Sequence, residues 1–305
     1  ASRNMHFVVT LAERDFLKGA AVLYNSLVRN SFDGVYVIGF RDRPLVSRSS
    51  FDSLANVGNQ VRLIELETPL HFTNFKPHFM RQVLESYPEC TTITYLDPDI
   101  VLNCPFQWIG SWAEGGPAVC GDVNWWMPSN HPTRRQWILR TGCKVHHKLE
   151  LYFNGGFLSV KREDLAFLDL WKELIDHWGN SDNPLDGKGE ISAWRKGGRW
   201  LPFMTPDQDA LNIAVMCWQD SITTLGPEVM GFAGFGELPH AVGSKKPWQR
   251  NYLLEALRGT PPRYVDKVFW TYADGPLMPF SRLTLAITKM MLNITTAISR
   301  FYRRR

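Results

Sequence analysis

Apolar positions along the chain alternate between short strand-like runs and longer segments with helical spacing. Residues 7–11, 35–40 and 61–66 form apolar runs of strand length. Between the first two runs, from residue 16 to 28, apolar side chains recur at the spacing of a helix. This β-α-β-α order predicts an α/β protein with a doubly wound, mainly parallel sheet flanked by helices. Ligands of such sheets bind beyond the carboxyl ends of the strands, where residues 10–14 lie.

Two carboxylates, Asp97 and Asp99, follow a further apolar run that ends at residue 96. At the end of a strand they can bind one hard divalent cation, and such a cation can hold the oxygens of a pyrophosphate. An acidic pair after a strand is also typical of a solvated turn or a helix cap. Far downstream, His240 can complete a metal shell, and Lys245 or Lys246 can neutralise phosphate. The combination predicts a metal–diphosphate site.

The segment from residue 115 to 150 contains tryptophans, histidines and arginines among turn residues, which predicts a loop-rich insertion over the sheet. Trp125 and Trp126 suit an acceptor pocket, because aromatic faces stack on sugar rings, but they equally suit a core or a lid. The adjacent His146 and His147 offer metal-ligand chemistry. In a polar loop, however, a histidine pair is more typical of an exposed surface.

Two later segments carry polar groups beside turn residues. Asn154 and Gly155 precede an apolar run, where a glycine lets a ligand approach the backbone, although a plain turn explains the pattern equally well. After a predicted helix over residues 163–178 and a polar loop over 181–200, the residues Asp207, Gln208 and Asp209 open another apolar helix. One acid is enough to cap a helix, so the others are available for chemistry.

These segments, in this order, resemble the glycogenin-type retaining glycosyltransferases, a group that includes bacterial lipopolysaccharide galactosyl- and glucosyltransferases. The resemblance covers about residues 6–250. It rests on segments 7–27, 95–102, 153–156, 207–212 and 240–248. The resemblance implies a GT-A fold, with a Rossmann-like nucleotide-binding sheet, and transfer of a sugar from a nucleotide diphosphate with retention at the anomeric carbon.

The family's site residues can be matched to positions in this chain. The metal ligands, for Mn²⁺ or Mg²⁺, are matched by Asp97, Asp99 and His240. The residues that contact the nucleotide-sugar donor are matched by Thr10, Leu11, Lys76, Asp97, Asn154, Gly155, Gly243 and Lys246. The residues of the catalytic step are matched by Asp207, Gln208 and Lys246.

The chain also departs from the family pattern. Phe16 stands nearest to the position where members often place an aromatic hydroxyl near the uracil, and Pro98 occupies the middle of the acidic motif. Either Lys76 or Arg81 can supply the cation that commonly precedes that motif, and we favour Lys76.

The resemblance predicts a retaining glycosyltransferase that moves a hexose from a UDP-sugar to a glycan or a lipid-linked acceptor. Two alternatives share the same metal and lysine. One is a nucleotide-sugar hydrolase, which would use water as the acceptor. The other is a non-catalytic nucleotide-sugar-binding protein, for which Asp207 and Gln208 would have no chemical role.

The composition and charge of the chain limit the kinds of protein and of binding partner that we expect. The chain has 305 residues, of which 44% are hydrophobic, so we expect a packed fold. The formal charge is +4, and the three arginines at 303–305 supply three of these charges, so we expect no nucleic-acid partner. The five cysteines are widely spaced without a C-x-x-C pair, which predicts reduced thiols. With no signal peptide visible, we expect a cytoplasmic protein.

The C-terminal segment, residues 283–301, places apolar side chains along one broad helical face. Lys289 interrupts the apolar run, so a bilayer span is not expected. An interfacial helix beside the arginines at 303–305 would suit the anionic inner face of a membrane, and a helix packed on protein suits the pattern equally well. We therefore predict a catalytic domain over residues 1–250 and a C-terminal helical extension over 251–305.

Overall fold

A computed structural model of the chain describes residues 5–41, 56–179 and 205–301. The strands within these ranges are β1 (Met5–Glu13), β2 (Val35–Arg41), β3 (Val61–Glu65), β4 (Cys90–Leu96), β5 (Ala118–Trp126), β6 (Leu151–Lys161) and β7 (Thr223–Leu225). They form one mixed, mostly parallel sheet in the order β3-β2-β1-β4-β6-β5-β7. The predicted α/β class is confirmed.

Helices flank the sheet and follow it at the C-terminus. In the described ranges the α-helices are α1 (Phe16–Arg29), α2 (Phe72–Ser86), α3 (Gln107–Ala113), α4 (Pro132–Thr141), α5 (Leu165–Leu174), α6 (Pro206–Cys217), α7 (Tyr252–Leu257), α8 (Tyr264–Tyr272) and α9 (Arg282–Phe301). The predicted helix over residues 163–178 is α5, preceded by a 3₁₀ turn at Arg162–Asp164 and followed by a π-helical turn at Ile175–Gly179. The predicted loop at 181–200 lies outside the described residues.

The strands predicted from apolar runs form where they were expected. β1 pairs in parallel with β4, with Val9 opposite Tyr95, so the carboxyl ends of these two strands point the same way. β4 then pairs antiparallel with β6, with Leu96 opposite Phe157. β6 is buried over nearly its whole length. Gly155 lies inside this strand rather than in a turn before it.

The prediction of a loop-rich insertion over residues 115–150 is wrong, because this segment contains β5 and α4. β5 pairs antiparallel with β6 and parallel with β7. Only its first half is buried, and its last four residues are exposed. The apolar run at the start of β5 is therefore too short to predict a strand from the sequence. Pairing with β6 and β7 stabilises the strand. α4 begins after the capping residue His131 and is followed by Gly142, whose φ of 69° lies in the left-handed region.

The chain divides into two compact units. The first unit comprises Ala1–Leu11, Glu65–Leu96 and Gln107–Pro227. The second unit comprises Ala12–Ile64, Asp97–Phe106 and Glu228–Arg305. In the second unit, α1, α7, α8 and α9 share a hydrophobic core that includes the buried Val22, Phe269 and Trp270. The predicted division of the chain at residue 250 stays a prediction.

Candidate functional site

Backbone pairing within the second unit brings together acids and a histidine that are far apart in the sequence. Ile100 and His240 form an antiparallel bridge. The Ala241 N–H donates to the Asp99 carbonyl at 3.0 Å, and the Ile100 N–H donates to the Asp97 carbonyl at 3.0 Å. The acidic turn and the histidine segment are thus held side by side by main-chain hydrogen bonds.

The three predicted metal ligands converge in this pairing. The Nε2 atom of His240 lies 3.2 Å from Oδ1 of Asp99 and 3.8 Å from Oδ2 of Asp97. One ligating atom from each of the three residues lies within 4.8 Å of the others. Asp99 and His240 are buried, with exposed fractions of 4% and 8%. Asp97 is half-buried, and the buried carboxylate of Asp99 next to this second acid requires a positive charge beside it.

The donor set fits a divalent cation. The two carboxylate oxygens suit Mn²⁺ or Mg²⁺, which prefer oxygen ligands, and the imidazole nitrogen favours the transition metal of the two, Mn²⁺. Nδ1 of His240 is buried and makes no hydrogen bond within the described residues. The ring nitrogen of His240 that lies next to the acids is Nε2, and this nitrogen is positioned to bind a metal.

Lys246 lies against the same acids. Its Nζ donates to Oδ2 of Asp99 at 2.7 Å and to the Ala241 carbonyl at 3.0 Å, and lies 5.8 Å from the ring centroid of Phe16. Burial acts to raise the pKa of Asp99, but the charges and hydrogen bonds of His240 and Lys246 outweigh burial and hold it below its ordinary value. Asp99 is therefore held as a carboxylate.

The loop between the histidine and the lysine depends on glycine. Gly243 has a φ of 100°, which is in the left-handed region and strained for any other residue. Gly243 and Lys245 are both exposed, whereas Lys246 is half-buried. The structure therefore distinguishes between the two lysines that the sequence left open.

A glycine in α1 supports the acidic turn. A Cβ added at Gly19 would clash with the carbonyl oxygen of Pro98 and lie 2.9 Å from Cη2 of Trp248. The helix can approach the turn between Asp97 and Asp99 only because this position lacks a side chain. Gly19 falls within segment 7–27 of the family resemblance, but the sequence analysis did not predict this packing role.

A second group of predicted residues forms in the first unit. The buried Lys76, in α2, donates from Nζ to the Gly155 carbonyl at 2.8 Å and lies 3.2 Å from Oδ2 of Asp207. The Gly155 N–H donates to Oε1 of Gln208 at 2.9 Å. A Cβ at Gly155 would lie 3.0 Å from Oδ2 of Asp207. The close packing of the strand on the first turn of α6 therefore favours glycine here.

The two acids of the first turn of α6 have different partners. Asp209 accepts the Thr205 N–H at 3.0 Å and the Tyr152 hydroxyl at 2.6 Å, so it closes the helix N-terminus. Burial raises the pKa of Tyr152, and the charge of Asp209 raises it further. Asp207 is instead ion-paired with Lys76. One acid is thus structural, as the capping pattern allowed.

The contacts of Asn154 include Asp122, a residue that the sequence analysis did not predict. Its Nδ2 donates to Oδ1 of the buried Asp122 at 2.5 Å, and its Oδ1 accepts the Gly156 N–H at 2.8 Å. The other oxygen of Asp122 accepts the Asn124 N–H at 3.0 Å. The signal was an acid two positions after the apolar residues 118–120, but this segment was interpreted as a loop.

The remaining residues predicted to contact the nucleotide-sugar donor, Thr10 and Leu11, lie in β1. Thr10 and Leu11 are both buried. The hydroxyl of Thr10 makes no hydrogen bond within the described residues, so its polar capacity is unused there.

The tryptophans and histidines of segment 115–150 occupy contrasting positions. Trp125 and Trp126 are exposed and meet edge to face, with ring centroids 5.8 Å apart, whereas Trp137 is fully buried. His146 is exposed and His147 half-buried. The exposed surface expected for this histidine pair fits His146.

The C-terminal helix α9 packs through one face and exposes the other. Leu285 and Leu292 are buried in the core of the second unit. On the opposite side the large apolar residues Leu283, Ile287, Met290 and Ile294 are exposed. The apolar face predicted from the sequence is therefore mostly the outer one.

No helix in the described ranges combines the length and the apolar character that crossing a bilayer would require.

Comparison with known proteins identifies the fold of the chain. No protein-family model matches the sequence, and no curated protein matches it. The bifunctional glycosyltransferase WbbM is similar in structure, with a TM-score of 0.55 and 13% identity over 94% of this chain and 52% of WbbM. The galactosyltransferase LgtC, in complex with donor and acceptor sugar analogues, matches with a TM-score of 0.51 and 14% identity over 88% of this chain and 95% of LgtC. The chain has a GT-A fold.

The glycosyltransferase GlyE of Streptococcus pneumoniae TIGR4 matches the same GT-A fold. Its TM-score is 0.52 at 13% identity, over 97% of this chain and 64% of GlyE. The chain therefore spans about half of WbbM and somewhat under two thirds of GlyE. At these identities the likeness concerns the architecture of the chain.

Proposed function

We propose that this protein is a metal-dependent retaining glycosyltransferase that moves a hexose from a UDP-sugar to a glycan or lipid-linked acceptor. The observation that carries the proposal is the convergence of Asp97, Asp99 and His240 on one point, with Lys246 beside them. A GT-A fold supports it, because LgtC and GlyE, which share that fold, are glycosyltransferases.

Departure of UDP builds negative charge on the leaving diphosphate. A divalent cation held by Asp97, Asp99 and His240 supplies positive charge to that group when bound. Lys246 adds a second positive charge, and its ammonium is positioned by Asp99 and the Ala241 carbonyl. Stabilising a developing charge with preorganised groups lowers the barrier, so this arrangement favours leaving-group catalysis.

Retention requires the acceptor to arrive on the face that the nucleotide leaves, or else a covalent intermediate. We favour the front-face route, in which the acceptor hydroxyl attacks from the leaving-group side and a phosphate oxygen takes its proton. In this scheme Asp207 holds a hydroxyl of the donor sugar and Gln208 steadies the oxocarbenium-like centre. The ion pair of Asp207 with Lys76 and the hydrogen bond from the Gly155 N–H to Gln208 hold both side chains in place for these roles.

The remaining donor contacts are assigned to Thr10, Leu11, Asn154, Gly155 and Gly243. Within the described residues the Thr10 hydroxyl makes no hydrogen bond and a Cβ at Gly243 would have no neighbour within 4 Å, which supports their part in this assignment.

A turnover assay tests the proposal. The protein is incubated with a panel of UDP-hexoses and Mn²⁺, with and without glycan and lipid-linked acceptors, and products are identified by mass spectrometry. The proposal predicts UDP release that depends on the acceptor and is matched by hexose transfer. UDP release that is equal without acceptor would favour the hydrolase. Nucleotide binding without any turnover would favour a binding protein.

The outer face of α9 supports a lipid-linked acceptor. Exposed apolar residues lie on a helix that also carries Arg282 and Lys289, and such a surface suits an anionic bilayer. Removing the helix would expose the core around Leu285, so substitution is the cleaner test. Ile287→Ser with Met290→Ser should abolish flotation with anionic liposomes and leave the melting temperature unchanged. Equal flotation of this variant would remove the membrane from the proposal.

A further inference from the structure

A cavity in the first unit is lined by basic and apolar side chains. It has a volume of about 540 Å³ and lies between α4, the segments on either side of α4 and the last turn of α6. Its lining residues fall between residues 129 and 216, within the first unit. A concave site of this size is typical of a pocket that holds a small organic molecule.

Arg134 places a buried charge in the wall of this cavity. Its side chain lines the cavity and is only 1% exposed. Its Nε donates to the Met127 carbonyl at 3.1 Å, and its Nη2 donates to the same carbonyl at 3.0 Å and to the Leu151 carbonyl at 2.5 Å. Its Nη1 is buried and makes no hydrogen bond within the described residues. Since a buried donor needs an acceptor, this unsatisfied nitrogen favours a ligand oxygen in the cavity.

The charges around the cavity favour an anion. Among the described residues that line it, none is acidic, whereas Arg135 and Lys148 are exposed cations. The nearby Glu150 accepts the Ser129 hydroxyl at 2.8 Å. Burial lowers the pKa of Arg134 to about 10, although the charge of Glu150 acts to raise it, so the guanidinium is charged at neutral pH.

The remaining lining side chains are mostly apolar. They include Ile138, Leu139, Val145, Leu149 and Met216. Leu139 is 68% exposed and Val145 is 40% exposed, so part of the apolar lining is open to solvent. Large apolar side chains exposed beside a cavity are typical of a surface that a ligand covers.

We infer that this cavity binds a small, soluble organic phosphate, with its phosphate at Arg134 and its apolar body against Leu139 and Val145. Arg135 and Lys148 add positive charge beside Arg134. Three cations exceed what the single charge of a carboxylate requires, and they suit a phosphate monoester, which carries nearly two negative charges at neutral pH.

The cavity differs from the site of the proposed reaction. Asp207 lies in the first turn of α6 and Met216 in the last, about 14 Å apart along the axis of a regular helix. None of the lining residues is among those assigned to the donor or to the metal. A ligand bound in the cavity is therefore additional to the nucleotide-sugar donor.

Calorimetric titration of the full chain with three probes tests the inference. Hexyl phosphate carries both the charge and the apolar body, inorganic phosphate carries only the charge, and hexanol carries only the apolar body. We expect hexyl phosphate to bind, and the other two to bind about tenfold or more weakly because each lacks one kind of contact. Hexyl phosphate should also protect residues 129–149 of the natural chain from hydrogen exchange. Lys246→Met, at the candidate diphosphate site, should bind hexyl phosphate as the natural chain does.

Substitutions in the lining distinguish the two kinds of contact. Lys148→Gln should weaken binding of hexyl phosphate about threefold, the effect of losing one exposed charge pair. Lys144→Gln, at an exposed lysine outside the cavity lining, is the matched control and should leave binding unchanged. Leu139→Ser should weaken binding of hexyl phosphate but not that of inorganic phosphate.

Arg134→Gln should abolish binding. Because Arg134 also holds two main-chain carbonyls, the melting temperature of this variant is measured alongside. If the variant does not fold, hydrogen exchange of the natural chain decides.

Three outcomes would overturn the inference. The first is binding of hexyl phosphate that is absent, or no stronger than that of hexanol or of inorganic phosphate. The second is protection outside the cavity lining or loss of binding in Lys246→Met, which would place the ligand elsewhere. The third is protection of residues 129–149 by vesicles containing phosphatidic acid but not by hexyl phosphate, which would assign the cavity to a lipid headgroup.

Discussion

The Nζ atom of Lys246 donates a hydrogen bond to Oδ2 of Asp99 at 2.7 Å, across 147 positions of sequence. Asp99 is also within 3.2 Å of His240, so one buried carboxylate is shared by a lysine and by a candidate metal ligand. A cation bound at this acid and the Lys246 ammonium would both act on the diphosphate. The pair therefore links metal binding to the proposed leaving-group role of the lysine.

Replacing Lys246 with methionine should reduce turnover more than donor affinity. The ammonium acts on charge that develops as UDP departs, and loss of one such group costs about 100- to 1,000-fold in kcat. Steady-state kinetics with a UDP-sugar measure kcat and KM separately. Lys245→Met, at the exposed neighbour, is the matched control and should leave both constants unchanged. Equal losses in kcat and in affinity at Lys246 would contradict the transition-state role.

Replacing Gly19 with alanine should disrupt the acidic turn. In a helix interior this change ordinarily stabilises a protein by up to about 1 kcal/mol. Here the added carbon would collide with Pro98, and overpacking of this kind costs about 1–3 kcal/mol. Gly110→Ala in α3 is the control, because its nearest neighbour, Nδ1 of His6, would be 3.9 Å away.

Thermal unfolding and Mn²⁺-dependent turnover check the change at Gly19. We expect Gly19→Ala to lower the melting temperature and to impair turnover, and Gly110→Ala to do neither. A Gly19→Ala protein as stable and active as the control would show that the turn does not need the close approach of α1.

Substitutions at Asp207 and at Asp209 should have different effects, the first on turnover and the second on stability. Asp207→Asn removes the carboxylate paired with Lys76 and is expected to lower kcat by about 100-fold. Asp209→Asn weakens the helix cap and the hydrogen bond from Tyr152, at a cost of about 1 kcal/mol of stability, with little effect on kcat. Kinetics below the melting temperature, together with denaturant unfolding, measure both. The reverse pattern, with turnover lost only at Asp209, would contradict the assignment.

His6 should make the stability of the protein depend on pH. Burial lowers its pKa to about 3, and its Nε2 is 2.7 Å from the Thr94 hydroxyl. Between pH 6.5 and 3 the unfolded chain binds a proton at this position that the folded chain does not, so stability falls as the pH falls through that window. From pH 7 to pH 5 the loss is about 2 kcal/mol.

Denaturant unfolding at several pH values checks this expectation. His6→Gln keeps a hydrogen-bonding side chain without the titration, so its free energy of unfolding should fall less between pH 7 and pH 5. Parallel pH profiles for the two proteins would mean that His6 does not contribute.

The fold was predictable where the pattern is local. Residues 7–11 and 35–40 are apolar runs of strand length, so β1 and β2 could be recognised from the sequence. β5 could not, because its buried half begins with only three apolar residues and depends on pairing with β6. Its acid Asp122 was missed for the same reason.

Some residues of the site are likewise indicated by a local sequence pattern, whereas others come together only in the folded chain. Carboxylates after a strand end indicate a metal, but the approach of His240 and Lys246 to them depends on backbone pairing between distant segments. The resemblance to a family pointed to these residues, whereas spacing alone left Lys245 and Lys246 equivalent. Packing roles such as that of Gly19 leave no sequence signal, because they depend on which backbone lies opposite.

Binding of Mn²⁺ tests the central claim most directly. Electron paramagnetic resonance can count bound Mn²⁺ in the presence of UDP for the natural chain and for Asp97→Asn with Asp99→Asn, with Asp33→Asn as a surface control. We predict one Mn²⁺ per chain in the natural protein and in the control, and none in the double variant. Equal Mn²⁺ binding by all three proteins would contradict the account.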